Sequence, residues 1–381
     1  MIIPFYKPRR VLHEINSIEK ALIKGNTVGG GEESSWCSIW LEENLKANKV
    51  LLTNSATDAL EMAAILLNLE PGDEIIMPSY TFSSSANAFV LRGAKPVFVD
   101  VEPNTMNVDP NTIESAITAN TKAILVVHYA GVACEMEVIL RICKEYNLRL
   151  VEDAAQGILS KLNSKYLGTF GDLSCISFHA TKNIVSGEGG ALIINNPDLV
   201  ERAKILLEKG TNRDQFINGQ VDKYTWVDIG SSYLPSEITA AYLRSQLEKS
   251  IEITEYRLKN WNYYFDEFTN YSQDLGIKTI KPPEGSQHNA HIFFLILQSE
   301  SKRDFFIKEM ALHEIICTSH YVPLHSSIAG KKFGSVGSQM VVTETVPSRL
   351  VRLPMWSHEG MPIEFITNKA INTLKKIHSG E

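Results

Sequence analysis

The stretch SFHATKNIVSGEGG, residues 177–190, decides how this chain is read. Cys175–His179 has the apolar character of a short strand, Lys182 falls in the turn after it, and Gly187-Glu188-Gly189-Gly190 follows. A lysine that condenses with an aldehyde needs such a setting. Its amine must be partly withdrawn from water so that a neutral fraction exists, and the backbone around it must admit a bulky partner. The competing reading is a solvated lysine in a strand–turn–strand connection, and the rest of the chain has to choose.

Working outward, short apolar runs alternate with helix-like runs from about residue 49. The strand candidates are Lys49–Thr53, Glu74–Met77, Pro96–Val99, Ala123–Val127, Arg149–Glu152, Cys175–His179 and Ala191–Ile194. Several are continuously apolar and rich in valine or isoleucine, as in strands covered on both faces. Helix candidates lie between the early ones: Asp58–Leu69, Ser84–Leu91, Pro110–Ile117 and Glu135–Tyr146. Such alternation predicts an α/β fold with a mostly parallel seven-stranded sheet flanked by helices. Further on, Leu247, Ile251, Thr254, Leu258, Trp261 and Phe265 recur at helical spacing and predict a long amphipathic helix. A Pro282-Pro283 loop, a strand at Ile292–Leu297, a helix at Arg303–Leu312, another strand and a terminal helix complete a small α+β domain. The expected division is 1–245 and 246–381, with the linking helix in the second part.

The chain has 381 residues, 44% hydrophobic and 21% charged, with a formal net charge of −7. That balance argues against general nucleic-acid binding, which needs clustered lysine and arginine, but not against a small anion in a local basic pocket. MIIPFYKPRR lacks a signal-peptide core, and no run of about 18 apolar residues suggests a membrane span. Five cysteines, none in a C-x-x-C pair, read as reduced thiols of a cytoplasmic protein, and no metal-ligand spacing occurs.

LRLVEDAAQ (148–156) puts Asp153 and Gln156 at the carboxyl end of a strand, where open α/β sheets bind ligands. Asp153 could pair with a protonated ring nitrogen, or simply cap a following helix. TNSATDAL (53–60) opens a helix with small residues, so a phosphate could sit on the N–H groups at Ala56 and Thr57; an ordinary helix start is the alternative. In PSYTF (78–82), Phe82 or Tyr80 could lie against a flat heteroaromatic ring, or be core. Ser177 could reach the same phosphate. A phosphate cradle, an aromatic platform, an acid for a ring nitrogen and a condensing lysine are together the parts of a pyridoxal 5'-phosphate site.

These motifs resemble those of the fold-type I, pyridoxal-phosphate-dependent sugar aminotransferases, over essentially the whole chain. The likeness is carried by PSYTF, EDAAQ (152–156), Ser177 to Gly190, HYVPLH (320–325) and RLPMW (352–356). Longer runs, including VHYAGVACEM (127–136), EKGTNRDQF (208–216) and GQVDKYTWVDIGSSYL (219–234), resemble members that aminate dTDP-linked 4-keto-6-deoxy sugars with L-glutamate. The resemblance implies that Lys182 carries the cofactor aldehyde, with pyridoxamine phosphate as the alternate form. It implies that Asp153 holds the pyridine nitrogen, Gln156 lies near the ring and Phe82 stacks on it, while Ala56, Thr57 and Ser177 hold the phosphate. In the family a partner-subunit asparagine also reaches the phosphate; Ser232 stands at that position in Gly230-Ser231-Ser232-Tyr233, which implies a homodimer with shared sites. Arg213, Lys223, His320 and Tyr321 are the candidate substrate contacts, with solvated surface charge the alternative for the first three. His128 reads as structural. A dehydratase branch of the family has histidine in place of the lysine, and Lys182 argues against it. A non-catalytic cofactor-binding protein and an aminotransferase with a 3-amino or gluco 4-amino product remain as alternatives.

Overall fold

The structure, a computed structural model, describes residues 2–357 and 360–379. Seven strands follow in chain order: β1 (Lys49–Thr53), β2 (Glu74–Pro78), β3 (Lys95–Val99), β4 (Thr121–Val127), β5 (Arg149–Asp153), β6 (Leu173–Ser177) and β7 (Gly190–Ile194). They assemble in the order β1-β7-β6-β5-β4-β2-β3, and a short strand at Ser335–Val336 extends the sheet beyond β3. All neighbours are parallel except β7, which runs antiparallel to both β1 and β6. The α/β sheet read from the sequence is thus present, with an eighth strand contributed by the C-terminal part of the chain.

The reversed β7 matters for the site. Because it runs backwards, its first residue lies at the edge where its neighbours end: Gly190 is in register with both Thr53 of β1 and Ser177 of β6. Asp153, in turn, is in register with Cys175 of β6 and Val127 of β4. One sheet edge therefore collects the ends of β1, β4, β5 and β6 and the start of β7.

The helix Ala56–Leu66 packs on one face of the sheet with Leu60, Met62, Ile65 and Leu66 inside. Burial of each such side chain contributes about 1.5–3 kcal/mol. Helices Glu32–Leu45 and Glu237–Glu248 cover the face around Val50, Ile176 and Ile193. The C-terminal part builds a three-stranded antiparallel sheet from Lys278–Thr279, Phe294–Ile296 and Leu350–Arg352, backed by helices Glu300–Leu312 and Ile363–Ser379. Among the described residues no helix is long and apolar enough to cross a membrane.

Two sequence expectations need correction. Pro110–Ile117 forms not one helix but two 3-10 turns, closed by i→i+3 bonds such as Thr112 N–H to the Asp109 carbonyl. The amphipathic helix spans Ser250–Asn270, separated from the preceding one at Lys249; Trp261 is buried and Leu258 and Phe265 pack partly buried as expected, but the stripe is turned so that Ile253, Arg257, Tyr264 and Phe268 are also inside. Ile251 is 59% exposed. The rotation brings a charged residue, Arg257, into the interior, where its guanidinium donates to the carbonyls of Ala290 (3.1 Å), His291 (2.7 Å) and Met355 (3.2 Å).

Candidate active site

The sheet edge and the C-terminal part enclose a cavity of about 520 Å³. Lys182 lines it from the tip of a tight turn. The turn is closed by Lys182 N–H to the His179 carbonyl and by Ala180 N–H to the Gly187 carbonyl, both at 2.8 Å, and Gly187 takes φ +85°, a value side chains resist. The Lys182 side chain is half-buried. Burial pushes its ammonium below the ordinary lysine range, and the neighbouring Asp153 pulls the other way. An amine whose charge is disfavoured is one that can act as nucleophile and base.

Asp153 ends β5 with 6% of its surface exposed. Ser85 Oγ donates to its Oδ2 at 2.6 Å and the Ala155 N–H to its Oδ1 at 3.1 Å. No helix follows, since residues 154–160 form turns. The capping alternative therefore falls away, leaving an oriented carboxylate in the cavity wall.

The helix that opens at Ala56 presents its start to the same cavity, and its first N–H groups have no intrahelical acceptor. Ser55 caps it by accepting from the Asp58 N–H at 3.0 Å, and Thr57 Oγ1 donates to Ser84 Oγ at 2.8 Å. Gly190 shows why this corner needs glycine: a Cβ there would stand 2.3 Å from the Ser55 carbonyl carbon and 2.4 Å from the Ala56 nitrogen. With Ser177 beside Gly190, the corner is a positive helix start lined by hydroxyls, a ready anion cradle.

Phe82 also lines the cavity, 58% exposed at its rim, whereas Tyr80 is fully buried. Gln156 bridges two walls, accepting from the Ala130 N–H at 2.7 Å through Oε1 and donating to the Tyr321 hydroxyl at 2.9 Å. Tyr321 stacks on His320 (centroids 3.7 Å apart), and His320 Nδ1 meets the Tyr129 hydroxyl at 2.6 Å. Burial, together with Arg352 and Lys182, holds His320 well below the usual histidine range. His128 pairs with Glu152 at 2.9 Å, both fully buried behind the wall, in the structural place the sequence suggested.

Three candidates lie outside the cavity of their own chain. Arg213 is held by Glu208, Nη1 to Oε1 at 2.7 Å, and Lys223 sits on an exposed segment. Ser232 is exposed, its carbonyl accepting from Asn54 Nδ2 at 3.1 Å. The sequence reading missed Arg257, His291 and Arg352, which all line the cavity. Arg352 commits Nε and Nη2 to the Ser319 carbonyl and Thr318 Oγ1. No carboxylate among the described residues pairs with it, so its charge is available to an anionic substrate.

A sheet edge bearing an amine, a carboxylate and an anion cradle around one cavity defines an aminotransferase-type site. The chain belongs to the DegT/DnrJ/EryC1/StrS aminotransferase family, whose model matches residues 12–361. It is 32% identical over 384 residues to an uncharacterised protein of Methanocaldococcus jannaschii, MJ1066, covering 99% of this chain and 98% of that one. It is 33% identical over 282 residues to dTDP-4-dehydro-2,3,6-trideoxy-D-glucose 4-aminotransferase of Saccharopolyspora spinosa, covering 73% and 72%. Among solved structures, the PMP form of Spr1654 from Streptococcus pneumoniae superposes with a TM-score of 0.90 at 25% identity, covering 98% of this chain and all of that one (100%). The protein is an enzyme of the pyridoxal-phosphate-dependent sugar-aminotransferase class.

Proposed function

We propose that the protein moves an amino group from L-glutamate to C4 of dTDP-4-keto-6-deoxy-D-glucose. The products are dTDP-4-amino-4,6-dideoxy-D-galactose and 2-oxoglutarate, and the use is in cell-surface polysaccharide synthesis such as that of enterobacterial common antigen. The observation that carries the reaction class is the convergence of Lys182, Asp153 and the helix start at Ala56 on one cavity. The sugar is supported by the runs at 127–136, 208–216 and 219–234 and by the likeness to a dTDP-sugar 4-aminotransferase.

The cavity residues fit pyridoxal 5'-phosphate. Ala56, Thr57 and Ser177 would hold its phosphate, Phe82 and Gln156 its ring, Asp153 its nitrogen and Lys182 its aldehyde carbon. When bound, that cofactor supplies an electron sink and carries the amino group between donor and acceptor. Asp153, fixed by Ser85 and Ala155, would stand against the ring nitrogen and hold a proton there. Lys182 Nζ, its charge disfavoured by burial, takes a proton from the α-carbon of glutamate and later delivers one to sugar C4. Arg352, His320 and Tyr321 line the cavity, where Arg352 would meet an anionic group of the substrate, and Tyr321 keeps Gln156 in place.

The reading includes a cytoplasmic homodimer in which Ser232, Arg213 and Lys223 serve the partner's cavity, and a division near residue 245 between cofactor-binding and smaller parts. The segment that would meet the partner carries Tyr224, Trp226 and Val227 exposed, the aromatic composition of a surface another chain covers. The test is to supply purified protein, loaded with the cofactor, with L-glutamate and the 4-keto sugar nucleotide, and to assign the product by NMR. An axial C4 amine is expected. Turnover only with a 3-keto sugar, or an equatorial amine, overturns the substrate or the stereochemical outcome while leaving the aminotransferase class intact.

A further inference from the structure

His291 lines the cavity half-buried, from the irregular segment that precedes the strand Phe294–Ile296. Its backbone is fixed at both ends: its N–H donates to Asn289 Oδ1 at 3.1 Å, and its carbonyl accepts from Arg257 Nη2 at 2.7 Å. The ring is fixed as well, by Asn183, the residue after the lysine. Asn183 Nδ2 donates to the Asn289 carbonyl at 2.8 Å, which settles the orientation of the amide, because the reverse would set two acceptors against each other. Asn183 Oδ1 therefore faces His291 Nδ1 at 2.8 Å, and an oxygen can only accept, so Nδ1 carries the hydrogen. Nε2 is left with a bare lone pair and no hydrogen-bond partner among the described residues. Protonation of that nitrogen is opposed by burial first, then by the nearby Lys182, Arg257, His320 and Arg352, which hold the imidazole well below its usual range. The molecule thus keeps a rigid, neutral, acceptor-only group within electrostatic reach of the lysine amine.

An acceptor so placed recognises a donor beside the reacting carbon. In a 4-keto-6-deoxy sugar, C5 carries the ring oxygen and a methyl group and offers none, whereas C3 carries a hydroxyl. We propose that His291 Nε2 is a specificity-determining acceptor for the C3 hydroxyl of the sugar, a contact that rests on the substrate reading above. The site then rejects 3-deoxy sugars, because losing the donor strands a half-buried acceptor.

The test is calorimetric binding of dTDP-4-amino-4,6-dideoxy-D-galactose and of its 3-deoxy analogue to the pyridoxamine-phosphate form, which does not react with amines. The wild type is expected to bind the hydroxylated compound about tenfold or more tightly. In His291→Leu the gap should close to within about twofold, and in His291→Gln, which keeps a carbonyl acceptor, part of it should remain. An undiminished gap in His291→Leu, or no gap in the wild type, overturns the contact alone. Wild-type protein that binds neither compound overturns the substrate reading, and the contact with it. If the leucine variant fails to fold, ¹⁵N-histidine NMR of the wild type decides. A hydrogen-free Nε2 signal that moves with the hydroxylated ligand and not with the 3-deoxy one supports the contact; an Nε2-protonated ring, or equal movement with both, overturns it.

Discussion

The edge formed by β1, β5, β6 and β7 and the segment from His288 to Trp356 face each other across the cavity and contribute to it differently. The sheet edge supplies groups held by backbone: a helix start at Ala56, a carboxylate at the end of β5, and a lysine at the tip of a hydrogen-bonded turn. The facing segment supplies side chains held by side chains of the opposite wall, as in the Gln156–Tyr321, Tyr129–His320 and Asn183–His291 pairs. A scaffold of strand ends can keep the chemistry constant, while a lattice of side chains can be exchanged residue by residue to change the substrate. On that division, substitutions at the sheet edge should abolish chemistry, and those opposite should shift selectivity or stability.

The largest effect expected is that of Lys182→Ala. Turnover should fall by about 10⁴-fold or more, because proton transfer and covalent attachment of the cofactor depend on the same amine. The 410–430 nm absorbance of the cofactor-loaded wild type, which should bleach on adding glutamate, should be missing from the variant while cofactor still binds. A variant that kept both band and turnover would move the chemistry away from the sheet edge. Next in size, Asp153→Asn should cost about 10³-fold in kcat with the fold intact, since the ring nitrogen loses its charged partner. Near-normal kcat with unchanged thermal stability would reduce Asp153 to a turn former that accepts from Ala155.

How legible each side was follows from the same physics. The sheet edge could be read because its strands are continuous apolar runs, and their chemistry sits in the next one to five residues, as with Asp153 after Leu150-Val151 and Lys182 after β6. The opposite side could not. Arg352 opens RLPMW, but the three bonds that orient it go to Thr318 and Ser319 across an isolated bridge. His291 gains its tautomer from Asn183, 108 residues away. Charge patterning ignores neighbours and gave no sign that Glu208, five residues earlier, holds Arg213 outside the cavity of its own chain. The face of Ser250–Asn270 was misplaced because apolar spacing assumes charges point outward, and no pattern announces an arginine whose partners are backbone carbonyls.

The smallest effect expected falls on that arginine, and it sharpens the division most. Arg257 stands 6% exposed, its guanidinium holding the carbonyls of Ala290, His291 and Met355. Arg257→Met keeps much of the volume and removes a buried charge, but leaves three carbonyls without a donor. Each loss costs about 1 kcal/mol or more, partly offset by relief of the desolvated charge, so the net destabilisation should be about 1–3 kcal/mol. The urea midpoint should fall with little change in slope. Arg257→Lys should lie between, because one ammonium keeps the charge but lacks the guanidinium fork that reaches the three carbonyls. Activity should drop less than in Asp153→Asn and appear first in the sugar half-reaction, since the His291 carbonyl is among the groups released. Equal loss in the glutamate half-reaction would mean that Arg257 supports the whole cavity and that the two walls are not separable.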